Sequence, residues 1–136
     1  MSTLFERHVF VYGTLRRGEA RDINRLWPAP RWLGAARVPG VLYHLGEYPG
    51  VVLGAPGWVC GEVYAISAEL ERQLDEIEEV WPQQTGEYCK REVMIQLEQT
   101  AAKVMCILYE IAPERIAGMP LIAGGDWARR RLDKNS

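Results

Sequence analysis

Tyr12-Gly13-Thr14-Leu15-Arg16-Arg17-Gly18 has residue types suited to holding an anion without a titratable partner. Its glycines let consecutive backbone N–H groups converge and approach a ligand closely, and such a nest takes a carboxylate as its natural guest. A strand followed by glycine and a turn is also a common structural device, so the motif by itself only nominates a site. A second group of residues could move protons. Leu74-Asp75-Glu76-Ile77-Glu78-Glu79 lies in a segment whose apolar residues Leu70, Leu74 and Ile77 recur at helical spacing. Around that stripe Glu71 and Glu78 fall on the apolar border, whereas Asp75, Glu76 and Glu79 are expected toward solvent. A carboxylate on such a border is partly desolvated, which favours its neutral form and suits it to general acid and base work near neutrality. Pattern alone favours a plainer role for Glu78, a border residue paired with Lys or Arg. Glu62 is a rival, since Cys60 and Tyr64 alternate onto its face.

Both groups need elements to hold them. His8-Val9-Phe10-Val11-Tyr12 is β-branched and aromatic and stops at Gly13, which predicts a strand entering the loop. Gly40–Leu45 and Val59–Ile66 read as further strands, with Tyr48-Pro49-Gly50 as a turn before Val51-Val52-Leu53. Ser67 can cap a helix that carries Glu69 and Glu71 in its first turn and runs to about Glu79, ended by Trp81-Pro82. Tyr88–Leu97 and Ala102–Tyr109 form a predicted hairpin across Glu98-Gln99-Thr100, and the tail after Pro113 reads as loop plus a short element. Strands dominate and one helix is clear, so the pattern predicts an α+β domain over residues 1–136 with a curled or barrel-like sheet.

Composition narrows the partners. The 136 residues carry 16 Lys and Arg against 18 Asp and Glu, a net charge of −2, so the basic surplus usual for nucleic-acid binding is missing. Arg129-Arg130-Arg131 reads as a solvated tail. No apolar run approaches the ~20 residues of a membrane span, and the first eight residues lack the order of a signal peptide, which predicts a cytoplasmic protein. Cys60, Cys89 and Cys106 are odd in number, widely spaced and joined by only two histidines, which argues against both a disulfide framework and a zinc site. Cys106, inside Val104–Leu108, reads as a small buried hydrophobe.

Taken in order, Val9–Gly18, Tyr48-Pro49-Gly50, Gly61-Glu62-Val63-Tyr64, Leu74-Asp75-Glu76-Ile77-Glu78, Tyr88-Cys89-Lys90-Arg91 and Tyr109 resemble the γ-glutamylcyclotransferase-like, or AIG2-like, family across residues 8 to 109. The closing Gly124-Gly125-Asp126-Trp127 is similar to its small bacterial members. The resemblance implies a small mixed β-barrel-like sheet with one main helix and short flanking helices. It also implies an enzyme that cyclises the glutamyl part of a γ-glutamyl amine or amide to 5-oxoproline and releases the amine. Glu78 would be its general acid and base, and Tyr12, Gly13, Thr14, Leu15 and Tyr109 its substrate-binding residues. No metal or organic cofactor is implied, and the partner is a small γ-glutamyl compound. Glu19-Ala20-Arg21 stand where members often carry Asn or His, and either Lys90 or Arg91 could fill the family's basic position. Two other functions suit the same sequence: a non-catalytic module binding a carboxylate metabolite, and an interaction protein anchored by some of Trp27, Trp32, Trp58, Trp81 and Trp127.

Overall fold

A computed structural model describes residues 7–78 and 85–129. Alternation along β1 (Arg7–Val11) decides how the sheet is covered. Phe10, followed by Tyr12 just past the strand, turns to one face, while Val9 and Val11 turn to the other. β1 pairs antiparallel with β3 (Pro49–Ile66) and parallel with β5 (Lys103–Ile111). β2 (Arg31–His44) and β4 (Tyr88–Gln96) flank this centre, giving the order β2-β3-β1-β5-β4. The outer ends curl toward one another: Glu98 N–H donates to the Ala35 carbonyl at 3.0 Å, and Ala36 bridges to Leu97. The result is the expected α+β architecture, a mixed sheet curled into a partial barrel.

Inside the curl Phe10, Val38, Leu42, Val63 and Leu108 pack with Trp127, which is fully buried although it lies near the end of the described chain. Outside it Val9, Val11, Tyr64, Ile66 and Ile107 receive α1 (Ala68–Ile77). Ser67 Oγ accepts the Leu70 N–H at 3.2 Å, so the helix starts where the cap was predicted. Leu70 and Leu74 are fully buried, each contributing roughly 1.5–3 kcal/mol by leaving water. α1 therefore holds its C-terminal end, and Glu78 with it, against the sheet beside β1 and β5. Short 3-10 turns at Ile23–Arg25, Pro113–Arg115, Ala123–Gly125 and Trp127–Arg129 supply the flanking helices. Among the described residues no helix is long and apolar enough to cross a membrane.

Two expectations need correction. β2 begins at Arg31 rather than Gly40, and β3 runs without a break from Pro49, so Pro49 and Gly50 open a strand instead of forming a turn. The turn falls one step earlier, where Leu45 N–H donates to the Tyr48 carbonyl at 3.0 Å. Gly50 is required for proximity: a Cβ there would stand 2.6 Å from Ile111 Cβ on β5. The predicted C-terminal end of the helix at Glu79 lies outside the described residues, and so do Trp81 and Pro82.

Candidate active site

The loop after β1 is fixed from three sides. Tyr12 Oη donates to the Tyr109 carbonyl at 2.7 Å and accepts the Val51 N–H at 3.3 Å, tying the loop's first residue to β5 and β3. Gly13 passes so close to Pro49 that a Cβ would lie 2.6 Å from its Cγ. Glu62 clamps the far side, with Oε1 accepting from the Arg17 N–H at 2.9 Å and Tyr64 Oη at 3.0 Å, and Oε2 accepting from Arg16 Nε at 3.1 Å. Arg16 Nη1 reaches on to Asp126 at 2.7 Å, so the Gly-Gly-Asp-Trp segment braces the loop. Asp22 closes its return, accepting from the Gly18 N–H at 2.8 Å and the Asn24 N–H at 2.9 Å.

This bracing sets the polarity of the backbone. The carbonyls of Gly13, Thr14 and Leu15 accept from the N–H groups of Arg16, Arg21 and Ile23 at 3.0, 2.8 and 2.9 Å. Among the described residues no acceptor pairs with the N–H of Thr14 or Leu15. Both residues line a cavity of about 170 Å³. Facing residues come from the end of α1 (Ile77, Glu78), the start of β3 (Pro49), the start of β4 (Tyr88, with Glu87 before it) and β5 (Tyr109). Glu78 is half-buried at the helix C-cap, where its N–H bonds the Leu74 carbonyl at 2.9 Å. Tyr12, Gly13, Thr14, Leu15, Glu78 and Tyr109, the residues singled out in the sequence, thus line one cavity. Glu62 is buried outside that lining, with both oxygens occupied.

Three of the cavity's phenols, those of Tyr12, Tyr88 and Tyr109, are held neutral. Burial raises Tyr12, Tyr88 and Tyr109 well above the ordinary tyrosine range, and the negative charge of Glu78 adds to the shift in all three. Tyr109 Oη donates to Asp75 Oδ1 at 2.6 Å, and Tyr88 Oη donates to the Pro49 carbonyl at 2.8 Å. With their protons engaged, both hydroxyl oxygens can offer lone pairs to a donor such as an ammonium. The cavity accordingly combines backbone donors on one wall with a carboxylate and phenol acceptors on others.

Asp75 does not face solvent as expected. It is partly buried and accepts from Tyr109, and its Oδ2 pairs with Lys90 Nζ at 2.9 Å. Lys90 also bonds Glu71 at 2.6 Å, whereas Arg91 is exposed and pairs with Glu110 at 3.0 Å. Lys90 is thus the cation on the site's side of β4. The apolar stripe of the helix by itself sets Asp75 toward solvent, yet Glu71, Asp75 and Glu78 recur at i, i+4 and i+7, the spacing that shares a face. That second stripe was the available signal. Cys106 is buried, its thiol pushed up to about 12 by burial, in keeping with its reading as a small hydrophobe. Of the tryptophans, Trp127 is core, Trp27, Trp32 and Trp58 are exposed, and Trp81 lies outside the described residues.

Residues 9–129 match the family model described as gamma-glutamyl cyclotransferase, AIG2-like. The chain belongs to this family. The Escherichia coli K12 gamma-glutamylcyclotransferase family protein YtfP is 32% identical over 130 residues, covering 90% of this chain and 96% of its own length. A Niallia circulans relative named gamma-L-glutamyl-butirosin B gamma-glutamyl cyclotransferase is 38% identical over 77 residues, 56% of this chain and 48% of its own. Among solved structures, an AIG2-like protein from mouse superposes with a TM-score of 0.68 at 26% identity, covering 85% of this chain and 84% of its own. The solution structure of ytfP from Escherichia coli superposes with a TM-score of 0.61 at 29% identity, covering 95% and 99%. The family's shared architecture is therefore the one that brings the 12–15 loop and the end of α1 to a common cavity in this chain.

Proposed function

We propose that this chain is a γ-glutamylcyclotransferase that closes the glutamyl group of a small γ-glutamyl amine or amide into 5-oxoproline. The observation that carries the reading is the shared cavity of Glu78 and the Tyr12–Leu15 backbone. The substrate's α-amine is the nucleophile. It loses a proton to Glu78 and attacks its own γ-carbonyl; the bond from that carbon to the leaving nitrogen then breaks as Glu78 returns the proton to it. No water is consumed, and the products are 5-oxoproline and the free amine. Ring closure gains from the high effective concentration of amine and carbonyl in one molecule, so positioning is a large share of the work. The Tyr12–Leu15 N–H groups bind the glutamyl carboxylate or the developing oxyanion, the latter worth ~3 kcal/mol per well-placed donor. Tyr109 and Tyr88 offer acceptors to the N–H groups of the attacking amine.

The test is 5-oxoproline release from a panel of γ-glutamyl compounds, followed by mass spectrometry. Wild type should release it and Glu78→Gln should not, while Glu78→Gln keeps its affinity, because an amide preserves shape and cannot take the proton. Ligand-induced stabilisation of wild type without release across the panel would replace this reading with that of a binding module.

A further inference from the structure

A chain of alternating charges runs from the start of β1 to the cavity. Lys90 on β4 stands directly opposite Tyr109 on β5, so the two side chains leave the sheet on the same face. That is the face covered by α1, where Tyr109 packs with Leu70 and Leu74. Glu71 and Asp75, one turn apart on the helix, straddle the Lys90 ammonium at 2.6 and 2.9 Å. Each carboxylate oxygen has its own partner. Glu71 gives Oε1 to Arg7 Nε at 3.2 Å and Oε2 to Lys90, while Asp75 gives Oδ2 to Lys90 and Oδ1 to the Tyr109 hydroxyl at 2.6 Å. The order is cation, carboxylate, cation, carboxylate, and it ends on a phenol in the cavity wall.

A phenol carries one proton and two lone pairs. Burial, then the hydrogen bond to Asp75 and the charges of Asp75 and Glu78, keep Tyr109 protonated, so what it presents to the cavity depends on where that proton points. With the proton on Asp75, the cavity meets an acceptor. With the proton turned inward it would meet a donor, and Glu78, a lining carboxylate whose charge acts on this phenol, would be the group to receive it. Such a bond would favour ionised Glu78 and weaken it as a base, and it would set an O–H against the N–H groups of an amine. Lys90 works against that outcome, because its ammonium can only donate and fixes Asp75 as an acceptor beside the phenol. On the reading proposed above, on which this inference rests, we infer that Asp75 is a positioning residue. By drawing the Tyr109 proton away from the cavity, it keeps that proton off Glu78 and leaves a phenol lone pair for the attacking amine.

Asp75→Asn inverts this arrangement at nearly constant shape. The amide oxygen stays with Lys90, which only donates, and the NH2 group turns to Tyr109 and drives the phenol proton into the cavity. Carbon-13 at the tyrosine ζ position reports the hydroxyl directly, with Tyr109 assigned through Tyr109→Phe. The wild-type resonance should lie on the phenolate side of free tyrosine, as donation to a carboxylate requires, and Asp75→Asn should carry it back. The first of these needs no variant at Asp75 and no turnover. On a γ-glutamyl compound that wild type converts, Asp75→Asn should lower kcat for 5-oxoproline release about tenfold, the scale of one hydrogen bond. In a Tyr109→Phe background the same substitution should change kcat by less than about twofold, because the phenol through which it acts is gone; a merely structural role would keep its effect there. A wild-type resonance on the far side of free tyrosine, a resonance unmoved by Asp75→Asn, an unchanged kcat, or an effect that persists in Tyr109→Phe overturns the inference. The expected resonances without 5-oxoproline from wild type would remove the catalytic reading and leave the orientation of the phenol standing.

Discussion

Replacing Glu62 by Gln should loosen the loop without touching Glu78, the proposed proton-transfer group, which makes it the sharpest contrast to Glu78→Gln. The carboxylate is 7% exposed and accepts three hydrogen bonds, two at Oε1 and one at Oε2. An amide has a single oxygen. If that oxygen keeps the Arg17 N–H and Tyr64 Oη, its NH2 group faces the Arg16 guanidinium, donor against donor. The loss is then one hydrogen bond to a charged group, ~1.5–3 kcal/mol, plus the donor conflict. It stays below the 3–5 kcal/mol of a fully orphaned buried charge because Arg16 keeps Asp126 at 2.7 Å. A cost of about 2–3 kcal/mol follows. With an unfolding entropy near ~2.1 cal/mol/K per residue over 136 residues, each kcal/mol lowers Tm by about 3.5 °C, so a drop of about 7–10 °C is expected. Calorimetry reads the Tm, and 5-oxoproline kinetics should show a raised KM with turnover still measurable. An unchanged Tm with turnover lost, together with near-normal activity in Glu78→Gln, would refute the assignment and make Glu62 the base.

Two further perturbations address the loop. Gly13→Ala drives a methyl group to 2.6 and 2.8 Å from the Pro49 ring, so either the loop or β3 must shift, costing ~1–3 kcal/mol; thermal melts should show the loss and substrate titrations a raised KM. Asp22 provides a pH signature: burial opposes its ionisation, but hydrogen bonds from Gly18 and Asn24 and the charge of Arg25 prevail and hold its carboxyl below the ordinary 3.8. A depressed folded value means this contribution is present above 3.8 and fades as pH falls below it. The Gly18 and Asn24 amide resonances should therefore keep their positions down to about pH 4 and move only below it, and Asp22→Asn should abolish that step; movement complete by pH 5 would contradict it.

The parts of this fold that could be read from the chain are those where local chemistry and tertiary packing agree. Ser67 before Leu70 and Leu74 fixes a cap and a stripe together, and Val9 to Tyr12 alternates as a strand between two packed faces must. β2 was half hidden because Gly34, Ala35, Ala36, Pro39 and Gly40 argue against a strand locally. Pairing with residues 49–53 and 58–65 of β3 overrides them, with register shifts at Trp32/Gly34 and Pro39/Gly40 absorbing the misfits. The loop and Glu78 were legible because a glycine-bounded turn and a border carboxylate are local patterns. Asp75 was not, because its partner Tyr109 lies 34 residues away on a strand whose approach no helical wheel contains.

β1 has β3 on one side and β5 on the other, and these arrive at very different moments in the life of the chain. On the ribosome, β1 can take its antiparallel partner once residue 66 has emerged, but its parallel edge must wait for residues 103–111. At about 5–20 residues per second, the ~40 residues between take roughly 2–8 s. Throughout that interval Tyr12 lacks the carbonyl of Tyr109 and an open strand edge is available to another nascent chain. The cavity is thus completed only late in synthesis, and a truncation that leaves the loop and Glu78 intact but stops before β5 would be an aggregation hazard with half its cavity missing.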